Sequence, residues 1–123
     1  MTRFLLCSGA ISAALSVALG AFAAHGLKSH LPADMLAVFQ TGVQYQFYHS
    51  LGLMLIGLIA ASRAPTTLLT AAGLLMLAGI LLFSASLYLL STTGIRGLGI
   101  ITPFGGVAFI VAWLLLALGI WRQ

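Results

Sequence analysis

The sequence predicts an all-α membrane protein: a four-transmembrane-helix bundle with a short interfacial amphipathic helix between spans one and two. Three observations predict it. The 123-residue chain is 62% hydrophobic and 5% charged, a composition foreign to ordinary soluble domains and short enough for one domain. Four apolar runs, at about 4–24, 43–62, 66–90 and 103–121, reach the roughly 20 residues a helix needs to cross a bilayer. The few charges bound these runs instead of interrupting them: Arg3, Lys28, Arg63, Arg96, Arg122 and the lone acid Asp34.

Span one begins behind Arg3 and resembles a secretory signal, with a basic start, an apolar stretch and an Ala21-Phe22-Ala23 cleavage-like site. It is longer than the usual signal core, and it carries Ser8, Ser12, Ser16, Gly20 and Ala24 at unbroken four-residue spacing. Small residues in such a stripe let a second helix approach closely in lipid, so the span is expected to be retained as a helix-packing element. Cys7 has no partner in the chain, which excludes an intrachain disulfide and leaves a small hydrophobe in an apolar run.

Between spans one and two, Pro32 suits a helix start and Asp34 favours the positive end of the helix dipole. Asp34, Ala37, Thr41, Gln44 and Tyr48 recur at steps of three and four and form one polar or small face, with Met35, Leu36, Val38, Phe39 and Val43 away from it. This reads as a helix lying in the membrane interface. A straight helix from here through residue 62 would be about 45 Å long, beyond a hydrocarbon core of about 30 Å. A bend near Thr41-Gly42 is therefore expected.

Arg63 and Pro65 turn span two into span three, and the stretch "TTGIRGLGIITPFGG" carries span three into span four, which Pro103 can start. Arg3, Arg63 and Arg122 flank the terminal side, and Lys28 and Arg96 the loop side. The positive-inside rule then places both termini in the cytoplasm of a cell inner membrane.

Polar chemistry gathers at the loop side, above all in "VQYQFYHSLGL" at residues 43–53. Gln44 and Tyr48, and Tyr45 and His49, are spaced four apart and occupy two adjacent helical stripes. Counted from the apolar boundary, His49 sits about 6 to 9 Å deep, and an ionisable group there turns toward protein or water. His25, Tyr45, His49 and Arg96 are the candidate polar pocket. The structural alternative is that the tyrosines belong to the interfacial aromatic belt and the histidine ties two helices together. His25 and His49 at similar depth could hold a haem or metal, but two imidazoles without acidic or thiolate support are a weak signature, and no cofactor is expected.

The composition also excludes function classes. The positive charges are dispersed, so no nucleic-acid surface is expected. One acid cannot form a carboxylate pair, and no P-loop, dinucleotide fingerprint, H-E-x-x-H or C-x-x-C occurs. No serine is marked as a nucleophile. The expectation is a protein without enzymatic activity.

Four ordered motifs, "LGAFAAHGLKSHL", "VQYQFYHSLGL", "GILLFSASLYLLSTTGIRGLGIITPFGG" and "WLLLALG", carry a resemblance that covers nearly the whole chain. The sequence resembles the small bacterial membrane proteins of the domain-of-unknown-function 423 family, which also takes in the eukaryotic transmembrane protein 256 set. The resemblance implies a small multi-span membrane protein with no assigned reaction, ligand or cofactor, so no catalytic residue carries over. The leading expectation, from the small-residue stripe, is an accessory, assembly or homo-oligomeric component embedded in the lipid bilayer; the alternative, from the polar loop side, is a binding or transport protein for a quinone, lipid or proton-coupled solute.

Overall fold

A computed structural model describes residues 1–123 as helices and short connections. α1 runs from Thr2 to His25, α2 from Ala33 to Ser62, α3 from Thr67 to Gly79, α4 from Ala85 to Thr93 and α5 from Thr102 to Trp121. A π-helical turn, Ile80–Ser84, joins α3 to α4 without a break, and a 3-10 turn, Arg96–Ile100, leads into α5. Three stretches are long and apolar enough to cross a membrane: Thr2–His25, Thr67–Thr93 and Arg96–Trp121.

The ends follow local chemistry. Thr66 caps α3, its hydroxyl accepting from the Leu69 backbone N–H at 3.3 Å. Asp34 stands in the first turn of α2. Gly94 stops α4 in the left-handed region at φ 71°, the only positive φ in the chain. Pro103 sits in the first turn of α5.

α2 is a single helix through Thr41 and Gly42, so the expected separate interfacial helix is instead the first part of one continuous element. The reason is its partner. α1 and α2 form an antiparallel pair in which Gly57 meets Leu6, Gly9 meets Ser50 and Met54, Gly20 meets Val43, and Phe39 packs with Ala23 and Leu27. α1 is about 36 Å long and guides α2 along nearly its whole length. The face predicted as polar does lie outward, with Asp34, Ala37, Gln44 and Tyr48 exposed and Phe39 buried.

The buried seam of α2 is Phe39, Gly42, Gln46, His49, Leu53, Ile56 and Ala60, alternating steps of three and four as in a left-handed coiled coil. α1, with Leu5, Gly9, Ser16 and Ala23 buried and Ser12 half-buried between them, meets Val43, Gln46, Ser50, Met54 and Gly57 of α2, while Gly42 and His49 of the seam face the α3–α4 span and α5. The predicted stripe is therefore used in part. Strict four-residue spacing rotates about 40° per step away from a helix face, so Ser12, Ser16 and Gly20 meet α2 while Ala24 emerges exposed.

α3 and α5 form the second pair, and α2 packs across α3, the π turn and α4 to join the two. An apolar core that includes Leu5, Leu53, Ile56, Leu69, Met76 and Leu116 fills the half near the termini. A smaller apolar cluster around Ala23, Leu27 and Phe39 closes the loop half. Between them lies a polar layer.

Candidate functional site

Ser12 fixes the height of that layer. It stands near the middle of the 24-residue α1, and it contacts Gln46 and Ser50 of α2. Gln46 donates from Nε2 to the Ser12 carbonyl at 2.9 Å, and its Oε1 accepts from the Tyr88 hydroxyl at 2.6 Å. One glutamine thus bridges α1, α2 and α4. The amide orientation follows from chemistry: a carbonyl only accepts, so nitrogen must face Ser12. Ser50 donates to the Gln46 carbonyl at 2.6 Å, and its oxygen lies 2.7 Å from that of Ser12. Ser50 is the donor in both contacts, so its single proton is shared between the Gln46 carbonyl and the Ser12 oxygen. One turn toward the loops, Ser84 donates to the Gly42 carbonyl at 2.7 Å. No buried side-chain nitrogen or oxygen lacks a partner, as the absence of water in a bilayer core requires.

Ser84 reaches Gly42 from the end of the π turn, which sequence periodicity did not foretell. A wider turn re-aims the side chains that follow it, and here the span is gripped on both flanks. A Cβ on Gly42 would sit 2.8 Å from the Tyr88 ring, and one on Gly105 of α5 would overlap the Phe83 backbone.

His49 belongs to the opposite flank, between α2 and α5. It is 6% exposed, and its ring lies flat on Phe109 with centroids 3.4 Å apart. Tyr45 stacks at 5.8 Å and Trp113 lies tilted at 6.1 Å. Nδ1 donates to the Tyr45 carbonyl at 2.6 Å, since a carbonyl only accepts, which places a proton on Nδ1.

The structure brings Tyr45 and His49 of the predicted pocket together and places His25 and Arg96 elsewhere. His25 is exposed in the last turn of α1, and Arg96 is exposed in the 3-10 turn. His49 lies level with Ser12, and His25 is thirteen residues farther along α1, about 20 Å away along the axis. The two imidazoles are not placed to share one iron or metal ion, and no cluster of three or more His, Cys, Asp or Glu residues exists.

A groove of about 520 Å³ opens on the flank between α1 and the α3–α4 span. Ser12, Gln46, Ser84 and Tyr88 form its polar floor, and Ile11, Leu15, Leu19, Leu77 and Leu81 contribute apolar walls. Its size is that of a small-molecule site. Sequence reading missed Gln46, Ser50 and Tyr88 as a unit, although Gln46 and Ser50 stand four apart on one stripe and could have been paired with Ser12.

Comparison with known proteins identifies relatives that are membrane proteins. The profile of the family described as "Protein of unknown function (DUF423)" matches residues 19–106. The chain is 54% identical over 108 residues to the UPF0382 membrane protein YwdK of Bacillus subtilis, covering 88% of each chain. It is 46% identical over 114 residues, 93% of each chain, to a UPF0382 membrane protein of Staphylococcus saprophyticus, and 42% identical over 114 residues to one of Staphylococcus aureus, covering 93% and 92% of the two chains. No solved structure matches it. With most of its length matched by the family profile and by near-full-length relatives, the chain belongs to the DUF423 family of membrane proteins.

Proposed function

We propose that this protein is a four-span component of the cell inner membrane that binds a small membrane-soluble molecule in the groove between α1 and α4 and catalyses no reaction. The observation that carries the reading is a polar floor at mid-height beneath apolar walls. α2 counts as the fourth span because it pairs with α1 along nearly the whole of α1, and its polar seam faces protein, so composition understates its fitness for the membrane.

The small-residue stripe, which motivated an assembly role, packs in large part on α2 of the same chain. The uncovered flank of α1 supports a second reading, an accessory or homo-oligomeric component in which a neighbouring helix occupies the groove. Native mass spectrometry from mild detergent separates the two. A retained small-molecule mass on the monomer is the expected result; a multiple of the chain mass with no small adduct favours the second reading and contradicts the first.

Both termini are cytoplasmic in this proposal, since Arg3, Arg63 and Arg122 outnumber Lys28 and Arg96. Arg63 donates to the Gln123 side chain at 3.3 Å, consistent with one shared terminal side. A green fluorescent reporter fused after Gln123 is expected to fluoresce, and an alkaline phosphatase fused there to be inactive. Phosphatase activity at Gln123 would reverse the orientation.

A further inference from the structure

We infer that the terminal side of the bundle holds a second site, for a phosphate group that brings no cation of its own, clamped between Arg63 and Arg122. It lies at the opposite end from the loops and is independent of the mid-height groove. A cleft of about 570 Å³ opens there, lined by Arg63, Ala64, Thr66, Arg122 and Gln123. Two helix ends bring the arginines to it. The Arg63 N–H still bonds the Ile59 carbonyl at the end of α2, and the Arg122 N–H bonds the Leu118 carbonyl at the end of α5, each at 3.1 Å. A helix C-terminus favours one cation; it does not explain two in a single cleft.

No side chain of the protein neutralises this pair. Arg63 donates to the Gln123 side chain, a neutral amide, and Asp34, the only acidic residue, opens α2 at its far end, more than about 40 Å from Arg63 along the helix. Like charges sharing a cleft repel, and an anion between them removes that cost. A guanidinium is a planar fork that meets two phosphate oxygens at once. Thr66 adds a donor: its oxygen accepts from the Leu69 N–H, and its own proton remains for an oxygen in the cleft. Depth selects the source. Trp121, next to Arg122, is 87% exposed, and an open indole at the end of a membrane helix sits at headgroup level, where phospholipid phosphates lie. A zwitterionic headgroup carries its own ammonium, which the two arginines repel, so the fit is to an anionic phospholipid. The loop side has no counterpart, since neither Lys28 nor Arg96 lines a cleft.

The test follows modification of individual arginines by phenylglyoxal, mapped by peptide mass spectrometry, on the full chain in nanodiscs. Three conditions are compared: phosphatidylcholine alone, phosphatidylcholine mixed with phosphatidylglycerol, and phosphatidylcholine with inorganic phosphate in solution. Phosphatidylglycerol is expected to slow modification of Arg63 and Arg122 by at least about fivefold, the effect of one basic residue at an anionic surface. Arg3 on the same side and Arg96 on the other are outside the cleft and should keep their rates. Arg63→Lys, at an exposed position, keeps the charge and loses the fork, so Arg122 should lose most of its protection while Arg3 and Arg96 report an unchanged fold. Protection of the pair by inorganic phosphate in phosphatidylcholine as strong as that by phosphatidylglycerol keeps the phosphate site and assigns it to a soluble phosphate. Equal protection of all four arginines means diffuse surface attraction and overturns the site, as does no protection of Arg63 and Arg122 by either anion. Undiminished protection of Arg122 in Arg63→Lys overturns the two-arginine clamp. None of these outcomes bears on the small-molecule reading of the groove.

Discussion

Gly105→Ala is expected to destabilise the protein by about 3 kcal/mol or more, and Gly105→Leu to prevent accumulation of folded protein. A Cβ at this position would meet Phe83 at its backbone, with Cα 2.8 Å away. Main chain inside a π turn cannot swing aside as a flexible side chain can, so α5 must move as a body. Overpacking of a tight core costs about 1–3 kcal/mol even where side chains repack; a backbone clash lies at or beyond the top of that range. The effect should spread, because Phe109, one turn along α5, carries the stack on His49. Thermal unfolding in detergent checks the prediction, with Gly97→Ala as the control, since a Cβ there meets nothing within 4 Å. Equal melting temperatures for Gly105→Ala and Gly97→Ala would show that the close approach of α5 to the π turn is wrong.

How much of this was legible in the sequence depends on what the bilayer hides. α1, the α3–α4 span and α5 followed from apolar length, and Pro103 marked a real boundary, whereas α2 begins at Ala33, ahead of the predicted span at 43–62. Orientation of the helices was harder, because lipid is as apolar as a protein core and hydrophobicity does not mark the inward face. Small and polar residues mark it. The seam from Phe39 to Ala60 is written in α2 at steps of three and four, but choosing it over the Gln44–Tyr48 stripe requires knowing that α1 supplies Ser12 and Ser16 opposite. Polarity alone drew attention to His25 and Arg96, which are exposed at the loop end. The π turn is tertiary in origin, gripped between Gly42 and Gly105, and left no periodic signal.

The second large effect concerns Gln46, and it bears on the claim that the polar residues of α2 form a closed layer at mid-height in the bundle. Gln46→Leu removes the only acceptor of the Tyr88 hydroxyl and the donor to Ser12. An unsatisfied buried polar group costs about 1–3 kcal/mol, and no water is at hand in the bilayer core to replace the partner. Tyr88→Phe leaves the reciprocal defect, an unpaired Gln46 oxygen. The two substitutions together remove both orphaned groups, so their costs should not add.

The coupling energy between Gln46 and Tyr88, from a double-mutant cycle of Gln46→Leu and Tyr88→Phe by reversible unfolding, therefore tests this arrangement most directly. Interhelical hydrogen bonds in membranes are worth about 0.6 kcal/mol on average and up to about 1.7, and a 2.6 Å bond in a closed network belongs near the upper end, so the predicted coupling is about 1 kcal/mol or more. A coupling indistinguishable from zero, with the double variant as unstable as the sum of the singles, would contradict the polar layer and the groove built upon it.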